Sequence, residues 1–342
     1  MKTAAVFHTR ARHTEYRELQ LSSPKAGEVL IEALCSAISP GTESMIYRGH
    51  LSSGILGDSI ISCLQSQLEY PFRYGYALVG RITDTGENVD PAWLGRTIFT
   101  FHPHQKHALV AIADCIEIPE GISEYDALFL PNMESALNFV MDANPVFGSR
   151  VMIFGLGVVG LLSLALFRKL PLSRLIAADP LEYRRRRALD LGLVTAIDPL
   201  DQTQWAALLQ ELFDGSDGGG LDLALELSGN LEALNQAIEV TGFSGTVVLG
   251  SWYGSQSQSL DLGGAFHRRR IRLLSSQVST IDPGLSGRWT KQRRFDLAFD
   301  LIRELRPCSL ITHRFAPEDC DLAFRITSQR LEQALQVIFE YR

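Results

Sequence analysis

The chain has no close pair of cysteines, no apolar run long enough to span a bilayer and no excess of basic charge. Its five cysteines (Cys35, Cys63, Cys115, Cys308 and Cys320) are scattered over 342 residues. That spacing suits reduced thiols and excludes a disulfide framework or a clustered zinc site. The longest apolar stretch, 151–166, is interrupted by three glycines and is shorter than the ~20 residues of a spanning helix. A formal net charge of −7 leaves no basic field for nucleic acid. The short basic clusters at 184–187, 267–272 and 291–294 read as solvated faces. The start, 1–8, reads as a first strand and not as a secretory segment, and no internal repeat is evident. A soluble cytoplasmic protein with neither a nucleic-acid nor a membrane partner is expected, and its length predicts two domains.

Short β-branched and apolar runs at 4–7, 28–35, 77–85, 97–101 and 107–112 are punctuated by Pro24, Gly27, Pro40-Gly41, Gly86 and Pro103. They predict an irregular, partly barrel-like β domain. After Pro119 the rhythm changes. Helices are expected at 123–129, 133–143, 157–169, 183–191, 205–213 and 231–240, with strands at 151–154, 175–178, 195–197, 221–226 and 246–249. This alternation implies an α/β fold with a doubly wound parallel sheet of the Rossmann kind. From about 277 onward a helix at 294–306, a short strand near Ile311 and a last helix at 329–339 are expected.

The strongest motif is Val151-Met152-Ile153-Phe154-Gly155-Leu156-Gly157-Val158-Val159-Gly160. A lone G-x-G-x-x-G is weak, but this one follows an apolar strand and opens an apolar helix. Gly155 permits the turn, Gly157 lets backbone approach a pyrophosphate, and Gly160 lets helix and strand pack closely. The phosphates then meet the helix N-terminus. The next strand ends at Asp179, 24 residues after Gly155. A carboxylate there can bind ribose hydroxyls and repel a 2′-phosphate, which favours NAD(H) over NADP(H). Arg184, opening the run to Arg187, is the counter-indication. Ser228, Gly250 and Ser251 follow later strands and suit the nicotinamide half.

From end to end the chain resembles the medium-chain dehydrogenase/reductase superfamily. The landmarks are Ile38-Ser39-Pro40-Gly41-Thr42-Glu43, Tyr74-Gly75-Tyr76-Ala77-Leu78-Val79-Gly80, Pro131-Asn132-Met133-Glu134-Ser135-Ala136 and the glycine motif. The resemblance implies a GroES-like β-barrel domain over 1–120, completed by 280–342, around a Rossmann domain over 121–279. It also implies a homodimer through the edge of the Rossmann sheet. In zinc-dependent members the first landmark reads Cys-Gly-Thr/Ser-Asp and the second Gly-His-Glu-x-x-Gly. Here Pro40, Tyr76, Ala77 and Leu130 stand where the ligands and the glutamate would be, and none of them makes a zinc site. The structural-zinc lobe is missing too. Thr42 keeps the relay hydroxyl, followed by Glu43. Ser-x-Gly-Thr-Glu, Gly-Tyr, Ser275-Ser276-Gln277, Arg288-Trp289 and Arg293-Arg294 resemble the bacteriochlorophyllide 3-hydroxyethyl dehydrogenase group, whose members oxidise a secondary alcohol.

Without zinc, hydrogen-bond donors must handle the alcohol proton and the oxyanion. Thr42 and Tyr76 are the candidates, with Glu43 and Glu134 as orienting partners. The bland alternatives are a turn former for Thr42, packing beside Tyr74 for Tyr76 and a helix-surface carboxylate for Glu134. His102, His104 and His107 lack a completing carboxylate or cysteine for a metal set, and His50 reads as a surface loop residue. Arg288-Trp289 either frames a planar acidic substrate or forms a surface cation–π pair. The expected activity is NAD-dependent, zinc-independent interconversion of a secondary alcohol and a ketone. The rivals are an NADPH-dependent zinc-less reductase of activated double bonds and a non-catalytic NAD(H) sensor.

Overall fold

A computed structural model describes residues 1–50, 57, 61–193, 195–214, 219–257, 259–329 and 333–341. The chain clusters into two compact units, Met1–Pro131 with Phe295–Arg342, and Asn132–Arg294. The sequence boundaries lie near 120 and 280. Among the described residues no helix is long and apolar enough to cross a membrane.

The first unit opens with β1 (Lys2–Arg10) and β2 (His13–Gln20), an antiparallel pair. The polar, half-exposed β2 carries no apolar alternation and was not expected from sequence. β3 (Glu28–Ile38) is the spine of the unit, because its alternate residues Val29, Ile31 and Ala33 bury against the core of the second sheet. α1 (Thr42–Arg48) follows where Pro-Gly-Thr suggested only a turn. β4 (Leu78–Thr85), β5 (Thr97–Thr100), β6 (His107–Ala111) and β7 (Ile116–Glu117) complete the N-terminal part of that sheet. α2 (Glu124–Ala127) is capped by the Ser123 hydroxyl, and α3 (Leu130–Ala143) leads out of the unit.

The second unit alternates β8 (Arg150–Phe154), α4 (Val158–Phe167), β9 (Arg174–Ala178), α5 (Glu182–Asp190), β10 (Thr195–Ile197) and α6 (Gln202–Phe213). It continues with β11 (Leu221–Glu226), α7 (Leu231–Val240), β12 (Thr241–Leu249) and β13 (Arg272–Ser275). The six strands pair in parallel in the order β10-β9-β8-β11-β12-β13. This is the doubly wound order, with β8 and β11 adjacent at the point where the winding reverses. β8 reads as an unbroken apolar run because both faces are covered, with Val151 to Phe154 all buried. β13 was not anticipated, since it lies on the edge and exposes Arg272 and Leu273.

α8 (Lys291–Leu305), β14 (Ile311–Phe315), α9 (Cys320–Gln329) and β15 (Gln336–Glu340) end the chain. The expected helix at 329–339 is overturned. β15 lies between β14 and β3, so Val337, Ile338 and Phe339 are buried on both faces. A strand covered on both sides loses its alternation and imitates a buried helix in sequence. Residues 330–332 of that expectation lie outside the described residues.

Candidate active site

The three motif glycines serve different ends. Gly155 has φ 94°, and a Cβ there would sit 2.7 Å from the Ser228 Cα. At Gly160 a Cβ would lie 1.9 Å from the Gly155 carbonyl oxygen. These two are required by the protein's own packing. At Gly157 a Cβ would meet only the Arg184 Nη1, at 3.8 Å, so the fold leaves that space open. Gly157 caps α4 with no side-chain hydrogen bond, and the first turn holds no acidic residue. Val158, Val159 and Gly160 therefore begin the helix with backbone N–H groups that no side chain caps, which is an anion-binding terminus.

Asp179, buried at the end of β9, accepts the Leu156 N–H on one carboxylate oxygen (2.8 Å) and the Leu181 N–H on the other (2.9 Å). It thus latches the glycine turn. Arg184 is buried beside it, with Nη1 3.6 Å from the carboxylate. Arg185 donates to the carbonyls of Asp179 and Pro180 and faces Asp198 at 3.3 Å, while Arg186 pairs with Glu182. The arginine run is largely spent on local pairs.

Ser228 and Ser251 are brought together by Glu226, which sequence reasoning missed. One oxygen of this buried carboxylate accepts the N–H and hydroxyl of Ser228 (2.7 and 2.5 Å) and the Gly229 N–H (3.2 Å). The other accepts the Tyr253 hydroxyl at 2.5 Å. Burial and the Glu226 charge push that phenol well above its ordinary pKa. Ser251 accepts the Gly229 N–H and donates to the Glu226 carbonyl. Gly250 is a packing glycine, since a Cβ would meet Phe139 and Leu227 at 2.5 Å. A carboxylate ending an apolar strand, as at Asp179, was the signal that could have found Glu226.

In the first unit, Thr42 opens α1 and is partly exposed. Glu43 faces inward with 0% exposure. Its carboxylate accepts the Ser39 N–H (2.9 Å) and contacts the His104 Nε2 (2.8 Å). The His104 Nδ1 meets the Ser36 hydroxyl at 2.8 Å, and that hydroxyl meets Tyr341 at 3.0 Å. Tyr76 is half-buried against Ile46, Leu64, Phe72 and Tyr74, with its ring edge-on to Tyr74 at 6.3 Å. The helix-surface reading of Glu134 is overturned. It is 2% exposed and bound by Arg294 (2.8 Å) and Lys291 (3.3 Å). Trp289 carries a cation–π partner, but it is Arg293 at 4.1 Å and not Arg288. His50 is half-buried, with its Nδ1 enclosed.

The three histidines at 102–107 do not converge. His102 donates to the Pro103 carbonyl, His107 meets Thr3, and His104 meets Glu43. Among the described residues no three His, Cys, Asp or Glu side chains gather as a metal site. Pro40, Ala77 and Leu130 offer no donor, so a zinc ion does not fit this set. His8, stacked on Phe72 at 5.1 Å, is pushed down to about 3 by burial and by nearby His104. Burial likewise pushes His102 down to about 4. Unfolding frees both to bind protons near 6.5, so stability falls as pH drops from about 6.5 toward 4, by ~1.4 kcal/mol per pH unit for each ring. Urea midpoints between pH 4 and 7 check this. His8→Gln should shallow the slope, and an unchanged slope would refute the contribution of His8.

A family model described as zinc-binding dehydrogenase matches residues 158–297. L-threonine 3-dehydrogenase of Pyrococcus furiosus is 25% identical over 350 residues, covering 88% of this chain and 96% of that protein. Two solved structures share the fold over 99% of both chains. One is an alcohol dehydrogenase of Escherichia coli complexed with NADH (TM-score 0.78, 18% identity). The other is a zinc-binding-type dehydrogenase of Sinorhizobium meliloti bound to NADP (TM-score 0.76, 19% identity).

Proposed function

We propose that this chain, an oxidoreductase of the medium-chain alcohol-dehydrogenase superfamily, interconverts a secondary alcohol and its ketone with NAD(H) and without zinc. The observation that carries the reading is the open N-terminus of α4 at Gly157, where protein packing alone does not require a glycine. Held there by the backbone N–H groups at the head of α4, a nicotinamide cofactor would supply hydride transfer to and from the carbinol carbon. Asp179, latched at the strand end, keeps a lone pair on each oxygen for a ribose hydroxyl. The pairing of Arg184, Arg185 and Arg186 with carboxylates supports NAD(H) over NADP(H). The name of the threonine 3-dehydrogenase relative supports a secondary alcohol as substrate class. We further propose a cytoplasmic homodimer joined through the exposed edge strand β13, which light scattering would test.

Fluorescence titration tests the cofactor. NADH should bind at least ~10-fold more tightly than NADPH, a difference of ~1.4 kcal/mol. Tighter NADPH binding would assign the phosphate to Arg184 and favour reduction of activated double bonds.

With no donor set for a Lewis acid, Thr42 and Tyr76 hydroxyls hold and pass the alcohol proton and donate to the developing oxyanion. Tyr76→Phe should lower kcat by ~100-fold, in the range of general acid catalysis, with NADH affinity unchanged. Full activity would reduce Tyr76 to packing against Tyr74. Chelator treatment should leave wild-type turnover intact, and its loss would overturn the zinc-free reading.

A further inference from the structure

His104 touches both segments that carry the proposed proton-handling hydroxyls. Through Nε2 it holds Glu43, whose other oxygen accepts the Ser39 N–H and so closes the turn that sets Thr42 at the head of α1. Its ring also packs against Gly75, the neighbour of Tyr76. A Cβ on Gly75 would be 3.0 Å from both Cδ2 and Nε2 of the imidazole, and Gly75 sits at φ 134°. Phe324 and Phe339 meet the same ring in T-shaped contacts at centroid distances of 6.1 and 5.1 Å.

The His104 Nε2 pairs with the Glu43 carboxylate and its Nδ1 with the Ser36 hydroxyl, which in turn pairs with the Tyr341 hydroxyl. Glu43, His104 and Ser36 are fully buried and each has its partner, so the chain is a rigid, satisfied network of the kind that specifies one geometry.

We infer that His104 is a positioning residue that ties the Thr42 segment to the Tyr76 segment by hydrogen bond and packing. This rests on the proposed function for its consequence in catalysis, but the tie itself is a property of the first unit. It makes no use of the cofactor. The imidazole need not exchange a proton with substrate. It fixes where the Thr42 and Tyr76 hydroxyls stand.

The test compares His104→Ala, His104→Gln and Ser36→Ala with wild type in the full chain, by hydrogen exchange and by turnover of NADH with a panel of ketones. Gln can still donate to Glu43 through its amide N–H but lacks the imidazole ring that packs against Gly75. His104→Ala should speed exchange of the Ser39 N–H and of amides 74–78 together by at least tenfold. It should lower kcat by at least 30-fold, with the NADH dissociation constant within twofold. His104→Gln should recover about a third of the lost protection at Ser39, and Ser36→Ala should give a smaller loss of the same kind. If His104→Ala is too unstable to purify, the other two carry the comparison. Unchanged exchange at Ser39 in any folded variant, or loosening confined to one segment, overturns the inference. Exchange as expected with no wild-type turnover on any ketone or alcohol would instead defeat the proposed function and leave the tie standing.

Discussion

Gly157→Asp is expected to abolish NADH binding, weakening it more than 100-fold, without destabilising the fold. The missing side chain at Gly157 faces open space, bounded only by the Arg184 guanidinium at 3.8 Å. A Cβ there meets no backbone within 4 Å. Its φ of −70° and extended ψ are those of an ordinary N-cap, and aspartate is among the preferred capping residues, worth ~1 kcal/mol against a non-capping residue and a few tenths against glycine. The same carboxylate occupies the N–H groups a pyrophosphate needs and repels its charge. Binding should disappear while the melting temperature holds or rises slightly. Gly160→Ala makes the opposite demand, because its methyl would lie 1.9 Å from the Gly155 carbonyl oxygen, so helix and turn must separate and stability must fall. Fluorescence titration and thermal melts on both variants separate a glycine kept for ligand from one kept for packing. Retained NADH affinity in Gly157→Asp would defeat the assignment of the site.

The second unit was legible because its signals are local. A strand covered on both faces, a glycine turn and an apolar helix are contiguous in sequence, and the terminal carboxylate of β9 falls where the fold predicts. What Asp179 does with that carboxylate was not legible, since its bond to the Leu156 N–H spans 23 residues. The first unit hid more, because its sheet joins distant segments. β3 pairs with β15 some 300 residues later, and only that pairing makes 336–340 a strand. Glu43 was selected by its place after Thr42, yet its partner His104 lies 61 residues away and belonged to a histidine cluster that invited a metal reading. Polar β2 gave no periodic signal at all, because its stability comes from β1 and from α9 rather than from an apolar face of its own.

Arg294→Met is expected to cost the second unit ~3–5 kcal/mol, the usual price of breaking a buried pair from one side. Arg294 is fully buried on α8. It donates to the Glu134 carboxylate twice, at 2.8 and 3.0 Å, to the Asn138 amide oxygen and to the carbonyls of Val278 and Thr280. It therefore holds the segment after β13 to α3, at the carboxyl end of the sheet, where nucleotide-binding segments gather in such folds. Methionine fills similar volume but leaves Glu134 with Lys291 alone, and two carbonyls without a donor. Burial already raises the Glu134 carboxyl above its ordinary pKa despite both cations, and removing one lets it climb further. A raised folded-state pKa places the cost above that pKa and relieves it as pH falls. The deficit of Arg294→Met should thus be smaller at pH 5 than at pH 8 in urea melts, and an equal deficit at both would show that the carboxylate is not its source. The double variant Arg294→Met with Glu134→Leu removes the stranded charge and should regain most of the loss, as apolar replacements of buried pairs do. If the double variant stays as weak as the single one, the bonds to the Val278 and Thr280 carbonyls carry the stability. In that case NADH affinity should fall with it, because the segment they hold would no longer be fixed.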